Sequence, residues 1–274
     1  MIQYVEVDQK KVRMSRSGPQ QAHSLVFLHG YPENLRLWDR AAERLAGTYD
    51  CIALDWPGMG DSEVWNGGAT PRHMAARLSR ILQEMRICRP ALVATDMGAQ
   101  AVLEFAAGFP DNVASVVVMN SLVFGDERTS WEIDLLRRYA FNRWALRALP
   151  RIIFWRACHT FLNRGETISA EVLDDFAKSF GKPEVRKFIS KMCAGYQGAL
   201  PSLPERYPQI QAPTLVLWAG GDAHFPAAHG KRLAGLIPNS RFEVLPAAGH
   251  WMAWTNADEV ADRIENFLRD TIPV

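Results

Sequence analysis

The sequence lacks several features that would assign it to a specialised class of protein. It has no run of about 18 apolar residues, so we expect no membrane span. Its N-terminus, "MIQYVEVDQK", is charged and alternating, unlike a signal peptide. The net charge is only +1, so we expect neither a nucleic-acid nor an acidic-membrane partner. The four scattered cysteines include no C-x-x-C pair, which favours reduced thiols in the cytoplasm over a disulfide framework or a zinc site.

The chain alternates between predicted strands and predicted helices. Its 274 residues are enough for one large α/β domain with an insertion. After an N-terminal hairpin, strand signals occur at 24–30, 50–58, 91–94, 113–120, 213–222 and 241–250, and helical spacing at 34–47, 71–85 and 256–270. This alternation predicts a mostly parallel sheet covered by helices on both faces.

One segment interrupts the alternation. From about residue 125 to 205 the patterns are only helical, and they are rich in aromatic and basic residues. Many arginines in 137–151 could indicate an anionic substrate, but we favour a solvated helical face as their explanation. We therefore predict a core formed by 1–124 and 206–274, with 125–205 as a helical insertion between two strands.

Three polar residues follow predicted strands, where parallel sheets bind their ligands. Asp96 lies in a tight turn flanked by the small residues Ala94 and Gly98, and Asp222 and His250 follow two later strands. Each residue alone is compatible with an ordinary turn or structural role. Together they match the order nucleophile, acid and histidine of a catalytic triad, and we expect them to be catalytic.

Four motifs give the chain a resemblance to the α/β-hydrolase superfamily over almost its whole length. "HGYPEN" (29–34) resembles the oxyanion loop, and "DWPGMGDS" (55–62) resembles the loop after the next strand. "ATDMGAQ" (94–100) is similar to the elbow of the branch with an aspartate nucleophile, although Ala94 and Thr95 replace the usual Gly and His. "GGD" and "GHW" supply the acid and the base. The resemblance implies an α/β-hydrolase fold whose insertion is a helical cap.

An aspartate nucleophile indicates a particular kind of substrate. A serine that displaced a group from an sp³ carbon would form an ether, which water does not readily cleave. An aspartate forms an alkyl ester instead, which water can hydrolyse at the enzyme's own carboxyl carbon. We expect His250, oriented by Asp222, to activate that water, and the backbone N–H groups of Tyr31 and Met97 to form the oxyanion hole.

The groups that the enzyme provides for the leaving group distinguish an epoxide hydrolase from a dehalogenase. The resemblance implies that haloalkane dehalogenases place Asn and Trp at positions 31 and 97, where this chain has Tyr31 and Met97. An opening epoxide needs a proton, and "MCAGYQGAL" (192–200) resembles the cap segment that supplies a tyrosine in epoxide hydrolases, so Tyr196 is our candidate acid. Trp155 and His159 are further candidate leaving-group contacts from the cap. Packing roles for Tyr196 and His159 remain alternatives.

These observations predict an epoxide hydrolase without a cofactor or metal. A haloalkane or haloacid dehalogenase with the same nucleophile is the main alternative. A lactone or ester hydrolase and a non-catalytic receptor on the same fold are weaker alternatives. We expect an apolar small-molecule substrate, and a homodimer remains open. His224 and His229 are expected to be solvated.

Overall fold

The computed structural model describes residues 1–200 and 202–272, and the side chains of all of these except Tyr139, Tyr196 and Gln197. Its sheet has eight strands in the order β1-β2-β4-β3-β5-β6-β7-β8. The strands are β1 (Ile2–Val7), β2 (Lys10–Ser17), β3 (Ser24–Leu28), β4 (Asp50–Leu54), β5 (Ala91–Thr95), β6 (Ser115–Met119), β7 (Thr214–Ala219) and β8 (Ser240–Leu245). β1 and β2 form an antiparallel hairpin, β2 runs antiparallel to β4, and all other neighbours are parallel.

Helices follow most of the strands. They are α1 (Asp39–Leu45), α2 (Pro71–Glu84), α3 (Asp96–Gly108), α4 (Trp131–Leu136), α5 (Tyr139–Ala148), α6 (Pro150–Phe161), α7 (Ala170–Phe180), α8 (Pro183–Ala199), α9 (Ala227–Ala234), α10 (Met252–Thr255) and α11 (Ala257–Thr271). Short 3₁₀ helices cover Leu35–Trp38, Pro110–Asn112, Leu203–Glu205 and Tyr207–Gln209. Together these elements give the α/β-hydrolase fold that the sequence predicts.

Successive residues of the central strands pack into two different cores. In β3, Val26 and Leu28 join the core beneath α2 and α3, whereas Leu25 and Phe27 join the core beneath α1 and α11. This alternation follows from the two-residue period of a strand. Because both faces are covered, the middle residues of the central strands are apolar, and the polar residues lie at the strand ends, as Asp50, Ser115 and Thr214 do at the starts of β4, β6 and β7.

Most predicted elements are confirmed within a few residues. Thr70 caps α2, as the sequence indicates, by accepting a hydrogen bond from the His73 N–H. The helix predicted over 34–47 differs, because it begins as a 3₁₀ turn at Leu35 and becomes α-helical only at Asp39. The Asn34 side chain accepts from the Arg36 N–H and thereby caps the tighter turn.

Five helices, α4 to α8, lie between β6 and β7, within the predicted insertion. We refer to residues 125–205 as the cap, and these boundaries remain a prediction. In the described part of the chain, every helix is too short or too polar to cross a membrane.

Gly98, near the start of α3, lies where the backbone of β3 approaches this helix closely. A Cβ atom on Gly98 would lie 2.7 Å from the His29 carbonyl oxygen and 2.9 Å from the Leu28 carbonyl oxygen, and these backbone atoms cannot move aside as a flexible side chain could. Gly98→Ala should therefore lower the free energy of unfolding by about 1–3 kcal/mol, although alanine favours helices. Urea denaturation measures this difference. Gly47→Ala is the control, because nothing lies within 4 Å of its Cβ position, and equal midpoints for the two variants would contradict the prediction.

Candidate active site

The turn between β5 and α3 presents Asp96 in a strained backbone conformation. Its φ is +48°, in the left-handed region that side chains other than glycine seldom adopt. The Asp96 N–H donates to the Asn120 carbonyl (3.2 Å), and the Ser121 hydroxyl donates to the Asp96 carbonyl (2.5 Å), so the loop after β6 fixes the turn. A Cβ on Gly30 would lie 2.4 Å from the Asp96 Cβ, which explains the small residue there. Strain held by such contacts is typical of functional sites.

Two backbone N–H groups point at the Asp96 carboxylate. The Tyr31 N–H donates to Oδ2 at 3.0 Å, and the Met97 N–H is also hydrogen-bonded to the carboxylate. These are the two groups that the sequence proposes for an oxyanion hole. Burial raises the pKa of Asp96 to about 6, although the His250 charge and both N–H groups oppose this shift.

His250 and Asp222 meet at the ends of β8 and β7. His250 Nδ1 lies 2.7 Å from Asp222 Oδ2, and both residues are buried. The other oxygen of Asp222 accepts from the N–H groups of His224 (2.7 Å) and Phe225 (3.1 Å). Burial alone would raise the pKa of Asp222, but the His250 charge and these hydrogen bonds hold it below its usual range.

The imidazole of His250 is held in a negatively charged environment. Burial disfavours its protonated form, but the charges of Asp222, Asp96 and Glu33 outweigh burial and raise its pKa to about 9. The Phe161 ring lies 4.2 Å from the imidazole, centroid to centroid. Within the described residues, His250 Nε2 has no hydrogen-bond partner. Nε2 is the nitrogen that would take a proton from water, and no hydrogen bond to a described residue occupies it.

Glu33 is a third carboxylate in the site, and the sequence analysis gave it no role. Its side chain accepts from the Gly30 N–H (3.0 Å) and the Trp251 indole N–H (3.2 Å), and the residue is 1% exposed. Burial and the nearby Asp96 charge raise its pKa to about 7. The sequence signal that could have identified Glu33 is its position in "HGYPEN" (29–34), four residues after His29 at the end of a strand.

Two adjoining cavities lie on the cap side of the site, and Asp96 lines the smaller one. The smaller, about 30 Å³, is close to the volume of one water molecule. Its lining is mostly apolar but includes the polar or charged residues Asp96, Tyr31 and Arg137 as well as Phe161 and Cys193. The larger, about 270 Å³, shares Tyr31 and Phe161 with it and continues between α4, α5 and α6. The lining of the larger cavity is almost entirely apolar, so the geometry suits an apolar ligand reaching Asp96 from the cap side.

The Tyr31 side chain is a polar group in this apolar setting. It lines both cavities, is 6% exposed, and its hydroxyl has no hydrogen-bond partner among the described residues. Burial raises the pKa of Tyr31 well above its usual range, and the nearby charges of Cys193 and Asp96 add to this. The hydroxyl is therefore a protonated donor that no described side chain or backbone group accepts from.

The structure separates two of the three predicted cap residues, Trp155 and His159, from the triad. Trp155 and His159 lie on the exposed side of α6, with ring centroids 4.0 Å apart, and line neither cavity. The sequence could not determine which side of this helix faces inward, because aromatic residues occur on both. Tyr196 belongs to α8, three residues after Cys193, but its side chain lies outside the described residues.

The other histidines near the site are buried rather than solvated. His224 is 2% exposed, its Nδ1 lies 2.6 Å from the Ser130 hydroxyl, and burial lowers its pKa to about 4. The expectation that it is solvated is therefore wrong. His229 is also largely buried, with Nδ1 3.3 Å from Glu127. His29 is fully buried, and its ring nitrogens lie near the Gly30 carbonyl and the Trp56 N–H, which suits the ordering of the loop.

No group of three or more His, Cys, Asp or Glu side chains in the described part of the chain is arranged to hold a metal ion. A buried carboxylate, two N–H donors directed at it and a histidine paired with an acid together suit nucleophilic attack followed by hydrolysis.

Comparisons with known proteins place this site in a family. The acetyltransferase component of an acetoin-cleaving system from Cupriavidus necator is 27% identical over 94% of this chain, which spans 66% of that protein. Epoxide hydrolase 3 from Xenopus tropicalis is 25% identical over 93% of this chain and 73% of its own length. The structure of a thermophilic esterase from Thermogutta terrifontis covers the whole of both chains with a TM-score of 0.83 at 21% identity, which supports the fold.

These relatives differ in their named activities, so they identify the family more firmly than the reaction. The family model for the alpha/beta hydrolase fold matches residues 23–257, most of the chain, and spans all three strand-end residues. The chain belongs to the alpha/beta hydrolase family.

Proposed function

We propose that this protein is an epoxide hydrolase in which Asp96 is the nucleophile. The observation that carries the proposal is the carboxylate itself. Asp96 lies in the strained turn after β5, and its carboxylate accepts a hydrogen bond from the Tyr31 N–H at 3.0 Å. It lies near His250, which is hydrogen-bonded to Asp222. The similarity of the chain to epoxide hydrolase 3 supports this activity. Because the identity is only 25%, we argue the mechanism from the residues of this chain.

In the first step the ionised Asp96 carboxylate attacks an sp³ carbon of the epoxide. The ring C–O bond breaks, an alkyl ester forms on Asp96, and the leaving oxygen takes a proton from a tyrosine hydroxyl. This step needs no base, because a carboxylate is already a nucleophile above its pKa. The apolar cavity of about 270 Å³ would hold the rest of the substrate.

In the second step His250 removes a proton from water, and the hydroxide adds to the carboxyl carbon of Asp96. The oxyanion lies against the N–H groups of Tyr31 and Met97. When the intermediate collapses, the second product oxygen leaves with the proton held by His250. The acid proton left on Asp96 returns to the tyrosine phenolate, so one epoxide and one water give one diol.

Ester formation also changes the charge around His250. In the free site the negative charge of Asp96 helps to raise the pKa of His250 to about 9, so at pH 7 the imidazole is protonated and is not a base. Esterification removes that charge and should lower the pKa. Once the ester has formed, His250 releases its proton to solvent and can act as a base when water must be activated. It takes a proton back from solvent after the diol leaves and the Asp96 carboxylate is restored.

Two tyrosines are candidate proton donors. Tyr196 is proposed from its motif in the cap. Tyr31 is added because it lines the same small cavity as Asp96 and its buried hydroxyl has no hydrogen-bond partner within the described part of the chain. A dehalogenase would need hydrogen bonds to a halide rather than a proton for an alkoxide. Each assay should therefore compare epoxides with alkyl halides as substrates.

The charge argument predicts a change that needs no substrate. Asp96→Asn is neutral like the ester, so it should lower the pKa of His250 from about 9 toward 6.5, and Asp222→Asn should lower it too. NMR titration of labelled histidines measures this, with His250→Gln identifying the signal. Asp258→Asn, which removes a charge from an exposed residue, should leave the pKa of His250 unaltered. An unchanged pKa in Asp96→Asn would contradict the prediction.

The two-step mechanism predicts a trapped intermediate. His250→Gln should accumulate one equivalent of substrate on Asp96, because attack needs no base whereas ester hydrolysis does. Intact-mass and peptide mass spectrometry measure the adduct. Its rate of formation should fall as the pH drops below about 6, where the Asp96 carboxylate with its raised pKa becomes protonated.

The adduct should be missing in Asp96→Asn/His250→Gln, the matched control. Normal turnover in the single His250→Gln variant, or an adduct on another residue, would rule out the mechanism. An adduct formed much faster from alkyl halides than from epoxides would favour the dehalogenase instead.

The proton donor is identified by a pair of conservative variants. In the His250→Gln background, Tyr196→Phe and Tyr31→Phe each remove one hydroxyl and keep the ring. Loss of a general acid should slow ester formation from epoxides by about 10²- to 10⁴-fold, with little change in melting temperature. Tyr4→Phe, an exposed change on β1, is the control. If neither variant slows ester formation more than Tyr4→Phe does, proton donation by tyrosine is wrong.

A further inference from the structure

The outer face of the cap exposes large apolar side chains. Twelve large hydrophobic residues are exposed in the described part of the chain, and six of them lie between residues 131 and 155. Trp131 is 63% exposed and Ile152 59% exposed, which is unusual for side chains of this size. We call the six residues the cap patch: Trp131, Phe141, Trp144, Leu149, Ile152 and Trp155.

Contacts join most of the cap patch into one surface. Trp131, Phe141, Leu149 and Ile152 all line the cavity of about 270 Å³, so they surround one opening between α4, α5 and α6. The Phe141 ring lies 6.0 Å from the Trp144 ring, centroid to centroid. Trp155 lies three residues after Ile152 on the exposed side of α6. Four of the six residues therefore border the larger cavity, and Trp144 and Trp155 extend the apolar surface beyond it.

The same segment carries a strong local positive charge. Residues 137–164 contain seven arginines and neither Asp nor Glu, although the whole chain has a net charge of only +1. Arg138, Arg147 and Arg151 are exposed, and in the part of the chain that is described they form no ion pair. Arg156 is paired with Glu132 and lies over the Trp131 ring at 5.9 Å. Apolar and cationic groups thus share one face.

We propose that the cap patch and its arginines bind the surface of a membrane rich in anionic lipid. Tryptophan settles at the boundary between head groups and acyl chains, because its ring is apolar and its N–H is polar. Arginines beside it are attracted by the negative surface potential. The expectation of no membrane partner rested on the net charge of the whole chain, which conceals the charge of this segment.

This orientation would bring the mouth of the cavity against the lipid. A lipophilic molecule could then pass from the membrane into the apolar cavity without crossing water. The proposal concerns binding at a membrane surface and does not depend on the reaction at Asp96. An inactive Asp96→Asn variant should bind membranes as the unaltered protein does.

Vesicle flotation tests the proposal with the full chain. The protein should float with vesicles of equal parts phosphatidylcholine and phosphatidylglycerol, and only weakly with phosphatidylcholine alone. Arg147→Glu/Arg151→Glu and, separately, Trp144→Ser/Ile152→Ser should each weaken binding by about 10-fold or more. Added salt should weaken binding of the unaltered protein. Brominated lipid should quench tryptophan fluorescence in the unaltered protein.

Arg72→Glu/Lys231→Glu is the matched control, because it reverses two exposed charges outside the cap. It should keep full binding. Equal loss of binding in this control, equal binding to neutral vesicles, or no flotation at low salt would overturn the proposal. So would a dimer in analytical ultracentrifugation that the cap-patch variants dissociate, because a second copy of the chain would then be the partner of this face.

Discussion

The burial of charge at Asp96 is the constraint on which the rest of the site depends. A carboxylate removed from water is costly unless hydrogen bonds or an opposite charge compensate for it. Here the Tyr31 N–H, the Met97 N–H and the His250 imidazolium supply that compensation. Three buried carboxylates surround one histidine, and their combined charge outweighs the desolvation that would otherwise lower the pKa of His250.

The sheet allows these polar groups to be concentrated without placing them inside the apolar core. Its central strands are apolar on both faces, so their interiors cannot hold a carboxylate. The parallel arrangement brings the ends of β3, β5, β7 and β8 to one edge, although their residues are far apart in the chain. Asn120, after β6, ties this edge together, since its side chain donates to the His250 carbonyl (2.9 Å) and accepts from the Ala219 N–H (2.8 Å).

Sequence patterns predicted the sheet, its flanking helices and the strand-end positions of Asp96, Asp222 and His250, because strand period and small residues around a turn are local signals. They did not find Glu33, whose role depends on neighbours brought by other strands. They also placed Trp155 and His159 near the substrate, whereas both lie on the outer side of α6. Helical spacing identifies a helix, but it does not say which side faces inward when both sides carry aromatic residues.

That ambiguity in α6 has a physical cause. Ala157 and Phe161 face the interior and close the cavity near the triad, while Ile152 and Trp155 are apolar and exposed. A helix that is buried on one side and solvated on the other would normally carry polar residues outside. Here the outer side is apolar and flanked by arginines, so the sequence lacks the contrast that usually orients a helix. An apolar cavity and an apolar outer face on the same helices are what a lipophilic substrate reaching a water-poor carboxylate would require.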